Sequence, residues 1–257
     1  MEPLSFSEYL TFKEEKIIVQ PKNKFVNFNL ALFNRYKKHY ETFLRFGGFP
    51  EVVLAKKDSD RIDYLKDIVN SYIGLDIRLL ADFAASDDLY KLILLITGRV
   101  GSKVDYTKMG STIGINRQKV KDYINLLEYT YFIKLLPPFT YNRDREIASQ
   151  QKIYFADNGS LTSLCNVNKG ALLENMVAIQ LGRKGRLQFY AKKTGLEIDF
   201  ILDGKNAMEV KESPSFSDLS ILKNRAASVK LNNFHLVGLK QSNPGFNNFV
   251  WAGSLDL

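Results

Sequence analysis

The sequence predicts an α+β multidomain chain: a helical segment, a winged helix-turn-helix module, and a C-terminal α/β unit. Three observations carry that prediction. Residues 1–86 place apolar side chains every three or four positions, the period of an amphipathic helix. A short helix, a Gly-containing turn and a basic helix follow within 87–140, in the helix-turn-helix pattern. From 141 to 257 strand-like runs rich in branched residues alternate with helical ones.

The first helix starts at Ser5-Phe6-Ser7-Glu8, with Ser5 as N-cap and Glu8 at the third helical position. Residues 13–28 lack periodicity and are broken by Pro21, which predicts a loop. Leu30 to Leu44 is amphipathic and stops at the breaker Phe46-Gly47-Gly48-Phe49-Pro50. Glu51 to Ala55 and Asp60 to Leu80 resume the helical period, with a stripe of Ile62, Leu65, Ile68, Val69, Tyr72 and Ile73. His39, among Lys37, Lys38 and Tyr40, reads as an exposed helix residue.

In the middle stretch Leu89 to Ile96 and Asp105 to Ile113 read as helices. Gly114-Ile115-Asn116 turns the chain, with Asn116 capping Arg117 to Tyr129. Tyr131 to Leu136 and Pro137-Pro138 follow as strand and wing. Arg117, Gln118, Lys119 and Lys121 open the second helix, where phosphate and base-edge contacts to DNA are expected. The alternative reading has this module packing on protein, with its cations solvated.

In the last stretch Asn142 to Arg145 reads as a polar connector and Lys152 to Ala156 as a strand running into the Asp157-Asn158-Gly159 turn. A short helix over 160–164 carries Cys165 at its end as a small buried group, and Lys169 to Leu181 is an amphipathic helix. Leu187 to Ala191 opens the sheet. Leu196 to Leu202 and Ala207 to Lys211 form a hairpin about Asp203-Gly204-Lys205-Asn206. Phe216 to Ala227 is a crossover helix, Asn233 to Leu239 a strand with His235 at its margin, and Phe249 to Trp251 an edge strand.

The hairpin holds the chemistry. Alternation sets Glu197 and Asp199 on one face of the first strand and Glu209 and Lys211 on one face of the second. Like charges side by side across strands repel, so a compensating divalent cation is expected. Asp199 and Glu209 would hold Mg²⁺ through hard oxygen ligands, and the ion would activate a water for phosphodiester hydrolysis. Lys211 would orient that water or neutralise charge in the transition state. Tyr190 and Lys192, beside the hairpin, read as strand packing and a solvated charge, with phosphate contact as the alternative.

Asp199 followed by Glu209-Val210-Lys211 resembles the D…ExK signature of PD-(D/E)xK, restriction-endonuclease-like nucleases. Glu174 in Ala171 to Ala178 is similar to the helix glutamate that such nucleases often add. The resemblance implies catalytic roles for Glu174, Asp199, Glu209 and Lys211, and the order helix, three strands, helix, strand of that fold. Further blocks, Met1 to Leu10, Phe46-Gly-Gly-Phe-Pro-Glu51, Leu65 to Asp76, Lys152 to Ser160 and Leu172 to Val177, resemble DUF4143, the C-terminal region of an AAA-type ATPase family. That resemblance makes residues 1–86 a lid remnant and implies an ATPase domain as partner, or a homo-oligomer. No G-x-x-x-x-G-K-[S/T] occurs; the glycines at 98 and 101, and at 182 and 185, have other spacings, so no nucleotide binding is expected.

Composition sets the limits. Thirty-six Lys+Arg against 28 Asp+Glu give a formal net charge of +8, which favours polyanionic partners such as DNA. One cysteine excludes an intrachain disulfide. Absence of a long apolar run or a leader-like start predicts a cytoplasmic chain without membrane partners.

Overall fold

The computed structural model describes all residues except 1–2, 19–24, 26–27, 77–82, 193–194, 242–245 and 247, and no side chain over 75–86. The chain is α+β with a mixed sheet. Helix α1 (Phe6–Phe12) starts at the predicted capping box, with Ser5 and Glu8 satisfying each other's backbone N–H. Helix α2 (Leu30–Phe46) is capped by Asn29 and closed by Gly47, whose φ of 74° favours a residue without Cβ. Pro50 opens α3 (Pro50–Leu54), and α4 (Asp58–Ser71) runs into a π-helical turn, Tyr72–Asp76. The predicted helix 60–80 therefore ends its α-geometry at Ser71. Its last residues, and half of the loop predicted over 13–28, lie outside the described residues.

Helix α5 (Phe83–Thr97), α6 (Tyr106–Ile113) and α7 (Arg117–Tyr129) follow, with Gly114 in the left-handed region between the last two and Asn116 capping α7. Strand β1 (Ile133–Leu136) pairs antiparallel with β2 (Lys152–Phe155), and Lys103 adds an isolated bridge to Lys152. Between the strands lies α8 (Arg143–Ala148), capped by Asn142. The sequence predicts only a polar connector there, because α8 buries no residue and so shows no apolar period.

Helix α9 (Asn158–Leu164) begins at Asp157, and α10 (Lys169–Gly182) at Asn168. Helix α10 departs from the expected amphipathic pattern: Asn175 and Gln180 are buried along with its apolar residues. Its polar positions are paired instead of exposed. The Phe155 N–H donates to Asn175 Oδ1 at 2.8 Å, Asn175 Nδ2 donates to Asn158 Oδ1 at 2.8 Å, and Asn158 Nδ2 reaches the carbonyls of Leu44 and Leu172. Buried amides require such partners, since each unpaired one costs about 1–3 kcal/mol.

The main sheet runs β3 (Leu187–Ala191), β4 (Glu197–Leu202), β5 (Asn206–Val210), β6 (Asn233–Gly238), β7 (Phe249–Trp251) in that spatial order. The first three are antiparallel. Helix α11 (Phe216–Ser228) crosses over to make β6 parallel to β5, and β7 is parallel to β6. Asp203 and Gly204 both have positive φ, and Lys205 N–H donates to the Leu202 carbonyl at 3.1 Å, a tight hairpin turn of the kind Asp-Gly favours. Strand β5 is buried from Ala207 to Val210, with α10 and α11 both packed against it.

Helix α2 fastens the far edge. Trp251, the single tryptophan, is buried against Phe33 and Tyr40 at ring separations of 5.6 Å. The Phe6 N–H and Gln180 Nε2 both donate to the Asp256 carboxylate. One buried apolar cluster thus extends from Phe6 through the middle helices to Leu257.

Candidate functional site

Strands β3 and β4 do not pair uniformly. Gln188 faces Ile201 but Tyr190 faces Ile198, so Asp199 and Phe200 together oppose Phe189. The extra residue is a β-bulge, which bends a strand and re-aims side chains. The consequence is visible in contacts. Phe200 packs on Tyr154 with ring centres 5.7 Å apart, and the neighbouring Asp199 acts electrostatically on the same tyrosine. Both residues look toward α10 and β2, which strict alternation would forbid.

Across the hairpin Phe200 pairs with Met208, and the same register carried one residue further sets Asp199 opposite Glu209. Asp199 Oδ2 accepts the Val210 N–H at 2.8 Å. Glu209, 7% exposed, lies 3.3 Å from both Lys211 Nζ and Arg225 Nη1. Glu174 comes from α10, where Tyr154 donates its hydroxyl to Glu174 Oε1 at 2.8 Å. The four residues predicted as catalytic, Glu174, Asp199, Glu209 and Lys211, are therefore drawn into one electrostatic neighbourhood.

Burial and proximity set the ionisation. Glu209 is pushed up to about 7, first by burial and then by the charge of Asp199. Glu174 is raised by burial and by Asp199, with Lys152 opposing. Asp199 is raised by burial, against the Val210 N–H and the cations Lys152 and Lys211. Burial disfavours the Lys211 ammonium, but Glu209 and Asp199 outweigh it and hold its pKa above the usual value. Carboxylates gathered this way repel, and a positive charge between them relieves the strain. Asp199 and Glu209 are the pair whose oxygens could serve a hard divalent ion. Among the described residues no three His, Cys, Asp or Glu side chains are already gathered as for one ion.

Three participants escape sequence reading. Lys152 opens β2 and is 4% exposed, with Nζ 2.6 Å from Glu197, 3.9 Å from Glu174, and 5.3 Å from the centre of the Phe189 ring. Its signal was a lysine two residues before Tyr154, which puts both on one strand face. Arg225 flanks the buried Leu222 and Ala226 of α11, where a long side chain reaches over apolar packing to a buried acid. Gly101, at φ 74°, lets the turn after α5 close on α10: a Cβ there would stand 2.7 Å from Glu174 Oε1.

The predicted DNA-contacting residues are less uniform. Arg117 and Lys121 are exposed at the start of α7. Lys119 is committed to Asp88 at 2.6 Å, and Gln118 Nε2 donates to Asp122 at 2.8 Å, so two of the four already have local partners. Elsewhere, His39 Nε2 lies 3.3 Å from Glu15, and Cys165 is only partly buried. His235 has a buried Nδ1 without a hydrogen-bond partner and packs beside Phe25. No helix among the described residues is long and apolar enough to cross a membrane.

Comparison with known proteins places residues 37–171 within the family described as a domain of unknown function, DUF8612. Over 95% of its length the chain is 25% identical to an "uncharacterized protein", MJ1544, of Methanocaldococcus jannaschii, of which it covers 57%. Over 77% of its length it is 29% identical to an "uncharacterized protein" of Haemophilus influenzae, covering 48% of that protein. The chain thus spans about half the length of these curated relatives. No solved structure matches. These findings overturn the DUF4143 assignment, and with it the AAA-type ATPase family.

The structure explains why those blocks misled. Gly48 N–H donates to Asp157 Oδ2 at 2.8 Å, a Cβ on Gly47 would stand 2.2 Å from that carboxylate, and a Cβ on Gly159 would stand 2.2 Å from the Phe46 carbonyl. The Gly-Gly and Asp-Asn-Gly blocks therefore lock together as a packing joint. Lys152 and the α6–α7 turn fall inside the matched residues, whereas Glu174, Asp199, Glu209 and Lys211 lie beyond them.

Proposed function

The chain belongs to the DUF8612 family, and from its geometry we propose that it is a DNA-binding protein with a Mg²⁺-dependent phosphodiester-hydrolysing site at the β4–β5 hairpin. The observation that carries this reading is the placement of a partly buried Asp199 opposite the buried Glu209, with Lys211 3.3 Å from Glu209 and Glu174 close behind. Magnesium is held through one or two carboxylates together with substrate phosphates, and these donors fit that habit. When bound, such an ion polarises the phosphate and lowers the pKa of a coordinated water.

The remaining roles belong to the chain. Asp199 stays aimed by the Val210 N–H, Lys211 and Arg225 offset part of the burial that disfavours the Glu209 carboxylate, and Lys211 carries a donor to the side where charge develops. Support for a restriction-endonuclease-like unit comes from the order α10, β3–β4–β5, α11, β6 with its antiparallel-then-parallel pairing. Support for a winged helix comes from α5, the Lys103 bridge, α6, α7, β1 and β2. Fold analogy alone does not establish activity, so the test is direct. With Mg²⁺ or Mn²⁺ the protein should nick plasmid DNA, and Asp199→Ala should lower the rate about a hundredfold or more, as loss of an electrostatic group does. Equal nicking by the variant rejects the reading.

A second reading is a non-catalytic DNA-binding module. Its motive is that Lys152, Lys211 and Arg225 already oppose the nearby carboxylates. Under it Arg117→Ala with Lys121→Ala would weaken duplex binding and lower the salt slope by about 1.8, the loss of two phosphate contacts, with no effect of metal.

A further inference from the structure

Beyond the acidic cluster, a second feature has the chemistry of a ligand site. The segment Pro137–Phe139 covers the outer edge of β3 only as far as Phe189: Phe189 N–H donates to the Pro137 carbonyl and Phe139 N–H to the Phe189 carbonyl. Past that point Tyr190 and Lys192 line a cavity of about 440 Å³, closed on its other side by the end of α11. Tyr141 spans it. Its side chain is 75% exposed, yet its hydroxyl donates to the Val229 carbonyl at 3.0 Å and its ring meets Phe139 edge-on at 5.2 Å. An exposed aromatic held upright in this way is a fixed stacking surface.

The charge of the cavity is one-sided. Arg145, Lys192 and Lys230 line it, no carboxylate does among the described residues, and none of the three cations is in a salt bridge there. Lys192 Nζ stands 5.9 Å from the Tyr190 ring centre. Lys230 adopts φ 60°, the left-handed position that glycine or asparagine usually takes after a helix. The turn after α11 thus carries a lysine at the rim in a backbone conformation an L side chain resists.

We propose that this groove cradles single-stranded nucleic acid, with bases stacked on Tyr141 and Tyr190 and backbone phosphates held by Arg145, Lys192 and Lys230. A fixed aromatic face at Tyr141, with the Tyr190 ring and cations free of salt bridges beside it, suits unstacked bases, because a duplex keeps its base faces covered. The groove and the acids share one strand pair: Tyr190 pairs with Ile198, the residue before Asp199. The inference deepens the hydrolase reading and rests on it for its purpose, since a bound single strand is the substrate such a site would take.

The test is fluorescence anisotropy of the full chain with a labelled 15-nucleotide oligo-dT in EDTA, beside a blunt duplex of the same length. Oligo-dT should bind more tightly than the duplex, and Tyr141→Ala and Tyr190→Ala should each weaken it about tenfold, the scale of one lost stack. Lys192→Ala with Lys230→Ala should reduce the salt slope by about 1.4. Lys230→Gly should melt no lower than wild type and still bind more weakly, which separates charge from folding; Tyr141→Phe, keeping the ring but losing its bond to the Val229 carbonyl, should bind between wild type and Tyr141→Ala. Unchanged oligo-dT affinity in both tyrosine-to-alanine variants, or equal losses for duplex and single strand, overturns the cradle. Asp199→Ala is expected to bind oligo-dT normally. Binding without Asp199-dependent cleavage therefore rejects only the hydrolase, whereas such cleavage with indifferent groove variants rejects only the cradle.

Discussion

Asp157 shows how one buried carboxylate can set a pH response. It is 4% exposed and receives the N–H groups of Gly48 and Ser160, yet burial outweighs those bonds and lifts its pKa to about 6. A carboxyl raised in the folded state stabilises fully below its unfolded value near 3.9, and that contribution is lost as pH climbs through 6. Over this window wild type should lose on the order of 3 kcal/mol relative to Asp157→Asn, which has no charge to bury. Urea unfolding of both proteins from pH 4 to 7 checks it, and parallel pH curves would reject the assignment. Lys152 poses the converse case: Lys152→Met leaves Glu174 and Glu197 without their cation. A loss of about 2–3 kcal/mol is expected, below the fully buried limit because Glu197 is 44% exposed. Restoration by Glu197→Gln in the same background would identify the charge, not the packing, as the cause.

Among the elements, legibility followed periodicity. Helices α2, α7 and α11 and strands β3 to β7 were readable because apolar period, caps and the Asp-Gly turn agreed. Helix α8 was not, since nothing in it is buried, and α10 was misjudged because its polar residues are satisfied inside the protein. The acids and Lys211 were legible from alternation on the hairpin. Lys152 and Arg225 were not, because they arrive from elements distant in sequence, and no local pattern records a tertiary meeting. Gly101→Ala tests one such meeting. It strains a φ of 74° and crowds Glu174, so it should cost about 1–2 kcal/mol and release the Tyr154–Glu174 bond. If Glu174 has the role assigned to it, nicking should fall by more than the melting shift accounts for.

At the scale of the molecule, the buried cluster joins the first helix to the last strand, and Trp251 stands where α2 meets β7. Residues so far apart in sequence that share one core should unfold together. Trp251 fluorescence and helical circular dichroism should therefore give coincident urea transitions, and separated midpoints would contradict that coupling. Net charge of +8 acts over the same scale by drawing polyanions toward the surface, while the choice among them falls to local shape.

The additional residue in β4 divides that strand into two phases. Removing one residue there would restore uniform pairing with β3, but it would also take away the buried Phe200 that packs on Tyr154 or shift Asp199 from its place opposite Glu209. Evenness of the sheet and possession of the acid are thus opposed within a single peptide unit.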